Sequence, residues 1–269
     1  MAFMERGSEL TSPEYWDSVW LDEALPALVD LSNPALRTCV PKSFDRLIGD
    51  TVSGLDGARV LEIGCARSVW LPHIASRYGA HVTGLDRSPT GCARARALLG
   101  KAGVGGEIVC ADLFDPPAGM LGKFDVVFSI GVVEHFPDTA GIIATCARFL
   151  QRGGRMLTII PNMNGLVGAL QRLLDPPIYR LHVPLAPDAL ARAHRAAGLD
   201  VVHQAYILSA NWNVVIVGGL RRFGLERTAI RGLSALSKAF WQLDRAGIGV
   251  PPNRLTSPYI ACRAVKPLI

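Results

Sequence analysis

Clustered cysteine and histidine are missing from this sequence. The six cysteines include no Cys-x-x-Cys pair, and the six histidines do not gather beside them. Metal centres and disulfide frameworks depend on such spacings. Most of the cysteines stand within apolar runs, where a free cysteine acts as a small buried hydrophobic residue. We therefore expect neither a metal site nor a disulfide framework.

Long uninterrupted apolar runs are also missing. A membrane-spanning helix needs about 18 or more apolar residues in succession. The nearest candidate, residues 205–220, is interrupted by Asn211 and Asn213. The N-terminal residues include Glu5 and Glu9 and hold no apolar core of the kind that secretory signals contain. These features predict a cytoplasmic protein.

Lysine is scarce, because it supplies only five of the 28 basic residues. A nucleic-acid-binding protein concentrates its positive charge in one stripe. Here the net charge of +5 is scattered, apart from one group of arginines: Arg221, Arg222, Arg227 and Arg231. We therefore expect no nucleic-acid partner. With 269 residues, 49% of them hydrophobic, the chain is long enough to bury a sizeable core.

Strand-like and helix-like segments alternate through the middle of the chain. Apolar runs that predict strands cover residues 59–63, 81–85, 107–110, 124–130, 155–160, 199–209 and 257–265. Helical patterns cover residues 69–78, 89–102, 139–150 and 187–197. This alternation predicts a doubly wound, mostly parallel α/β sheet, which binds ligands at the carboxyl ends of its strands.

We assign residues 51–269 to one domain with this α/β pattern. Two segments of the chain do not follow the pattern. Residues 1–50 carry Tyr15, Trp16 and Trp20 at helical spacing and predict a helical lid. Residues 211–254 predict a helical insertion before the last strand. Its apolar stripe consists of Ile230, Leu233, Leu236, Phe240 and Leu243. The stripe suits a cap over the pocket, a dimer face or a membrane contact, and we favour the cap.

Three of the predicted strands end in residues suited to a nucleoside ligand. The first ends at Gly64, where small residues, Cys65 and Ala66, lead into a helix. The second and third end at Asp86 and Asp112. Glycine permits a sharp turn close to a ligand, and helix N-terminal amides favour an anionic group. Asp86 could accept hydrogen bonds from ribose hydroxyls, and Asp112 could contact an adenine amino group.

Residues 62–68, Glu62-Ile63-Gly64-Cys65-Ala66-Arg67-Ser68, resemble the first motif of the Rossmann-like (class I) S-adenosylmethionine-dependent methyltransferases. Ala66 and Ser68 stand where glycine is usual in that family. The resemblance is firm over residues 57–162 and looser as far as residue 265. A dinucleotide-binding protein would instead show G-x-G-x-x-G, of which only Gly64 is present.

The resemblance implies a seven-stranded sheet with an antiparallel last strand, and S-adenosyl-L-methionine as cofactor. It also implies a set of cofactor-binding residues. These are Glu62, Gly64, Cys65, Ala66, Asp86, Arg87, Asp112, Leu113, Ser129 and Ile130.

The segment Glu134-His135-Phe136 after the fourth strand resembles small-molecule methyltransferases of quinone and natural-product biosynthesis. We therefore expect an enzyme that methylates an oxygen or nitrogen of a hydrophobic small molecule, such as a secondary metabolite. One alternative is methylation at carbon, or of a quinone or isoprenoid lipid at a membrane surface. Another is a protein that binds S-adenosylmethionine without transferring its methyl group.

Candidate residues for the reaction come from several segments. His135 is the first candidate for a general base and His182 the second, because histidine titrates near neutral pH. Aromatic and amide side chains gather where a small organic acceptor would bind. They are Tyr15, Trp16, Trp20, Asn162, Tyr206 and Trp212. A homodimer is compatible with this pattern.

Overall fold

The computed structural model describes residues 9–21, 24–32 and 38–268. Within these ranges, seven strands form one sheet. They are β1 (Arg59–Ile63), β2 (His81–Asp86), β3 (Glu107–Cys110), β4 (Phe124–Ile130), β5 (Leu150–Pro161), β6 (Asp200–Ile207) and β7 (Tyr259–Val265). Their order across the sheet is β3-β2-β1-β4-β5-β7-β6. Strands β1 to β5 pair in parallel, whereas β7 lies antiparallel between β5 and β6. The expected fold is confirmed.

Helices flank the sheet. They are α1 (Pro13–Leu21), α2 (Cys39–Val52), α3 (Trp70–Tyr78), α4 (Pro89–Ala102), α5 (Thr139–Ala147), α6 (Leu166–Leu174), α7 (Pro176–Arg180), α8 (Pro187–Ala196) and α9 (Glu226–Arg245). The start of α4 follows its sequence signal, because the Ser88 hydroxyl accepts a hydrogen bond from the Gly91 amide at 2.9 Å. Among the described residues, no helix is long and apolar enough to cross a bilayer.

The core has one layer on each face of the sheet, because successive residues of a strand point to opposite sides. Val60 packs in the layer with α2, α3 and α4, and its neighbour Leu61 packs in the layer with α5 and α8. Helix α2 contributes Phe44 and Leu47 to the first layer. Within the region expected to form a lid, α2 therefore covers the sheet.

Strand β5 begins at Leu150, five residues before the predicted start. Two successive glycines, Gly153 and Gly154, are typical of a turn ahead of a strand. Instead, Phe124 pairs with Leu150, and the register shifts before Val126. Gly153 has a φ of 74°, which lets the strand bulge without ending.

The insertion before β7 forms its own apolar cluster, away from the two main layers. Trp212, Leu233 and Phe240 pack with Met163 and Val167, which belong to the segment after β5. The insertion is therefore anchored on α6. It contributes no side chain to the cavity at the carboxyl ends of β1 to β4.

Candidate active site

A cavity of about 300 Å³ lies at the carboxyl ends of β1 to β4. Its walls come from the loops that follow these strands and from residues 9–21. Side chains from the loops include Asp86, Asp112 and His135. Side chains from the N-terminal segment include Trp16 and Trp20. A cavity is therefore present at the edge of the sheet where a parallel α/β sheet is expected to bind its ligand.

The turn after β1 requires glycine at position 64. Gly64 has a φ of 76°, and its amide donates to the Leu85 carbonyl at 2.8 Å. An added Cβ would lie 2.5 Å from Cγ2 of Val132, in the loop after β4. Any larger side chain at position 64 would therefore strain the backbone and clash with the loop after β4.

Asp86 links two of the loops around the cavity. Its Oδ2 accepts from the Ala66 amide at 3.0 Å, and its Oδ1 accepts from the Ser88 amide at 2.8 Å. Each oxygen keeps a second lone pair for ligand hydroxyls. Burial raises the pKa of Asp86 above its ordinary value, while these two amides act to lower it.

Two further carboxyl groups border the cavity. Asp112 accepts from the Phe114 amide at 2.9 Å, which fixes the loop after β3. Glu62 is buried at the end of β1, and burial raises its pKa to about 8. Its Oε2 is buried without a hydrogen-bond partner among the described residues. A ligand group with a donor would satisfy this oxygen.

Residues 9–21, which we call the strap, close one side of the cavity. Glu9 and Arg87 form a two-pronged ion pair, with both N–O distances 2.6 Å. The Leu10 amide donates to the His135 carbonyl at 2.9 Å. The strap is thus bonded to the loops after β2 and β4.

Aromatic contacts complete the attachment of the strap. The Trp16 ring stands edge-on to the His135 ring, with 5.2 Å between centroids. Trp20 lies 5.8 Å from the Arg67 guanidinium, in the loop after β1. The strap therefore contacts three of the four loops that form the cavity, and aromatic side chains form its inner surface.

His135 is held in one tautomer. Its Nδ1 lies 2.6 Å from the Leu181 carbonyl oxygen, which can only accept, so Nδ1 carries the hydrogen. His182 is held in the same way by the Ile178 carbonyl at 2.8 Å. Burial, and then the proximity of His182, lowers the pKa of His135 to about 4. At neutral pH, Nε2 of His135 therefore presents a free lone pair.

Glu134 lies beside these two imidazoles. Its Oε1 is 4.0 Å from Nε2 of His135, and burial raises its pKa to about 8. One ligand atom from each of Glu134, His135 and His182 falls within a 4.8 Å span. Two imidazole nitrogens and a carboxylate are a donor set that suits a divalent transition metal. Sequence spacing gave no sign of this group, because His182 is 47 positions from His135.

Ten of the predicted site residues line the cavity: Trp16, Trp20, Glu62, Gly64, Asp86, Arg87, Asp112, Leu113, Ile130 and His135. Eight lie outside its lining: Tyr15, Cys65, Ala66, Ser129, Asn162, His182, Tyr206 and Trp212.

Those eight residues have other surroundings. Cys65 packs inside the layer between the sheet and α3 and α4. The Asn162 amide donates to the Arg254 and Ser257 carbonyls at 3.0 and 2.9 Å, and so holds the loop before β7. Trp212 packs on Phe240, with ring centroids 6.1 Å apart. His182 packs against His135, and Tyr15 packs against Trp16, so both lie behind residues that line the cavity.

Several cavity residues escaped the sequence reasoning. Glu9, Arg67 and Phe136 all line it. Arg67 stands in the first motif, so its position was available from the pattern, although its size was not expected there. Glu9 gave no signal, because a lone acidic residue ahead of a helix is ordinary in sequence.

Comparison with known proteins supports the methyltransferase class that the sequence resembles. Residues 61–158 match the family described as "Methyltransferase domain". The chain is 33% identical over 172 residues to the "Ubiquinone biosynthesis O-methyltransferase" of Aromatoleum aromaticum, covering 61% of this chain and 72% of that protein. It is 29% identical over 215 residues to the protein of that name from Nitrobacter winogradskyi, covering 77% and 80%.

A solved structure shares the fold. Geranyl diphosphate C-methyltransferase from Streptomyces coelicolor, solved with S-adenosyl-L-homocysteine, matches with a TM-score of 0.60 at 14% identity, over 94% of this chain and 97% of that one. The chain belongs to the class I S-adenosylmethionine-dependent methyltransferases. It is an enzyme of that class, and its cofactor is S-adenosyl-L-methionine.

Proposed function

We propose that this methyltransferase transfers the methyl group to a hydroxyl oxygen of an apolar aromatic small molecule, of the quinol class. The relatives are named ubiquinone biosynthesis O-methyltransferases, and this name supports oxygen as the methylated atom. It favours the quinone alternative of the sequence analysis over a secondary metabolite. The observation that carries the proposal is the free Nε2 lone pair of His135 in the cavity wall.

The cofactor supplies an activated methyl group when it is bound, so the protein mainly has to align the acceptor and remove its proton. We assign Asp86 and Asp112 to the nucleoside, as the resemblance to the family implies. Trp16, Phe114 and Phe136 form apolar walls suited to an aromatic ring. An acceptor hydroxyl between these rings and the loop after β4 would meet His135.

His135 is suited to accept that proton at Nε2. Its Nδ1–H is engaged with the Leu181 carbonyl, so the ring is oriented and only Nε2 can act as a base. The resulting imidazolium would stand 4.0 Å from Oε1 of Glu134. The pKa of Glu134 lies at about 8, so its carboxyl is mainly protonated at neutral pH, and the positive charge formed on His135 would favour its ionisation to a carboxylate that stabilises the cation. Glu134 is therefore proposed as the residue that supports the base.

The test is a methyl-transfer assay with matched acceptors. Purified protein and labelled S-adenosylmethionine are incubated with an alkylated catechol, an alkylamine and an alkyl carboxylate of similar size. Methyl ether formation on the catechol supports the proposal. Transfer to the amine alone, or binding of the cofactor with no transfer to any of the three, would contradict it.

The His135→Gln variant tests the base. General-base catalysis contributes about 100-fold or more, so kcat should fall by about that factor while S-adenosylmethionine affinity changes less than about twofold. Because the pKa of His135 lies at about 4, wild-type kcat/KM should show no loss from His135 protonation between pH 8 and pH 6. The exposed His81 provides a control, since His81→Gln should keep full activity.

A further inference from the structure

Two cysteines lie together beside the turn that carries Asp86. Cys110 is the last residue of β3, and Cys92 lies near the start of α4. In the parallel pairing of β2 and β3, Cys110 stands opposite Asp86. Alternate residues of a strand point to the same face of a sheet, so Cys110 points the same way as Ile108, which packs in the layer with α4. The Cys110 and Cys92 side chains therefore lie on one side of the sheet.

The two thiols bond to consecutive carbonyl groups. The Cys92 thiol donates to the Asp86 carbonyl at 3.3 Å, and the Cys110 thiol donates to the Arg87 carbonyl at 3.9 Å. The two side chains are also in hydrogen-bond contact with each other. Burial, and then this contact with Cys110, raises the pKa of Cys92 to about 12. The thiol pair therefore borders the Asp86–Arg87 segment, and both residues of that segment line the cavity.

Solvent reaches only one of the two thiols. Cys110 is exposed, because β3 forms the edge of the sheet in the described part of the chain. Cys92 is completely buried. A buried cysteine by itself is inert, whereas an exposed thiol with a second thiol beside it is the arrangement found in oxidant-sensing proteins. The pair thus combines a point of attack with a partner that can trap the product.

We propose that Cys110 and Cys92 form a reversible disulfide when the protein meets a peroxide, and that this disulfide weakens the binding of S-adenosylmethionine. The Cys110 thiolate attacks one oxygen of hydrogen peroxide, the O–O bond breaks, and water and a Cys110 sulfenic acid are formed. The Cys92 sulfur then attacks the Cys110 sulfur. The S–S bond forms as the S–O bond breaks, and a second water leaves. Two thiols are oxidised and one peroxide is reduced, and the two thiol protons end in the two waters.

The disulfide acts on the cavity through the elements that it joins. Its sulfur atoms must come within about 2.05 Å of each other, closer than any hydrogen bond allows. The end of β3 and the start of α4 are therefore drawn together. Asp112 follows Cys110 by two residues, and the Ser88 amide that precedes α4 holds the Asp86 carboxylate at 2.8 Å. Both carboxylates that we assign to the nucleoside are thus attached to segments that move.

Cys65 is the other thiol near Cys92, and it raises a second possible pairing. Cys65 is completely buried, so a peroxide in solution meets Cys110 first. The geometry therefore favours the pair that includes Cys110. The proposal goes beyond the proposed function and does not rest on it, because its test needs the cofactor and no methyl acceptor.

The experiment treats the full chain with hydrogen peroxide, blocks the remaining thiols by alkylation, and identifies linked peptides by mass spectrometry. Cys92 should be found linked to Cys110. Calorimetry should show S-adenosylmethionine affinity reduced about fivefold or more, and dithiothreitol should restore it. Coupling between two sites is reciprocal, so saturating S-adenosylmethionine in a glutathione redox buffer should lower the equilibrium constant for the disulfide by the same factor.

The Cys110→Ser variant tests the assignment, and because position 110 is exposed we expect it to fold and to bind S-adenosylmethionine as wild type does. Its affinity should be unchanged by peroxide. The matched control is Cys39→Ser, which removes a half-buried cysteine at the start of α2 and should keep the full response. The proposal would be overturned by the absence of the Cys92–Cys110 link, by a link from Cys92 to Cys65 instead, by a link that leaves the affinity unchanged, or by an equal loss of affinity in Cys110→Ser.

Discussion

Gly64 shows how one position can be constrained twice, by its own backbone and by a neighbouring loop. Its positive φ strains any larger residue, and the space a Cβ needs is already occupied by Val132. The first constraint acts on folding. The second acts on the shape of the cavity, because Val132 also lines it. The two effects can be separated by comparison with another glycine.

Gly79 supplies that comparison, since it has a φ of 63° and nothing within 4 Å of an added Cβ. Both Gly64→Ala and Gly79→Ala should lose about 1 kcal/mol of unfolding free energy from backbone strain. Only Gly64→Ala should also lose S-adenosylmethionine affinity, by tenfold or more, measured by calorimetry. Equal affinity in the two variants would mean that the loop after β4 moves aside freely.

Single residues also mark the limit of sequence reasoning about the site. Asp86 and Gly64 were found because each ends a strand, and strand ends are visible as the last position of an apolar run. Asn162 directly follows a strand in the same way. Its side-chain amide, however, donates hydrogen bonds to two carbonyls of the loop before β7. Which hydrogen bonds a polar side chain makes depends on distant backbone, and sequence patterns do not contain that information.

Among the structural elements, the strap lines one side of the cavity and is bonded to the loops after β2 and β4, so we expect it to affect ligand exchange. Its ion pair joins side chains that are only 8% exposed for Glu9 and 19% for Arg87. Breaking such a pair leaves a buried charge without its partner, which is more destabilising than loss of a surface pair. The strap should therefore loosen when Glu9 is replaced.

The Glu9→Gln variant should release S-adenosyl-L-homocysteine several times faster than wild type, and limited proteolysis should cut residues 9–21 more readily. The exposed pair Arg221–Glu226 gives the control, because Glu226→Gln should change neither quantity. Stopped-flow displacement measures the release rate. An unchanged rate would mean that ligand leaves by a route that the strap does not cover.

The elements predicted best were those with the simplest environment. Strands β1, β3 and β4 have the predicted bounds, because each is a short apolar run between polar turns. The start of β5 was missed, since glycine signals a turn in sequence and here forms a bulge. The insertion was expected to cap the pocket, but two residues of its apolar stripe, Leu233 and Phe240, pack with α6 instead, and the partner of an amphipathic helix is set by topology.

For the whole molecule, buried titratable groups give stability a pH dependence of two opposite signs. Glu62 and Glu134 have a folded pKa of about 8, above the ordinary value, so they reduce stability as pH rises from about 4.5 towards 8. His194 has its pKa lowered to about 4 by burial. The unfolded chain then binds the proton first, and stability is lost as pH falls from about 6.5 to 4.

His194 can be tested alone, because it bridges α8 and β5 away from the cavity. Its Nδ1 donates to the Leu190 carbonyl at 2.8 Å, and its Nε2 accepts from the Thr158 hydroxyl at 3.0 Å. Between pH 7 and pH 5, wild type should lose about 2 kcal/mol more unfolding free energy than His194→Gln. Urea unfolding at the two pH values measures this difference. His81→Gln should retain the wild-type dependence, and an identical dependence in His194→Gln would contradict the assignment.

The position of β7 has a consequence for the order in which the protein can be completed. In the described part of the chain β6 pairs with no strand but β7, and β7 also covers the open side of β5. A ribosome releases β5 and β6 first and must then synthesise the whole insertion. Throughout that interval two strands carry unpaired backbone groups, the state in which sheets join to other chains. The nascent protein is therefore most vulnerable to aggregation in the interval between the synthesis of β6 and that of β7.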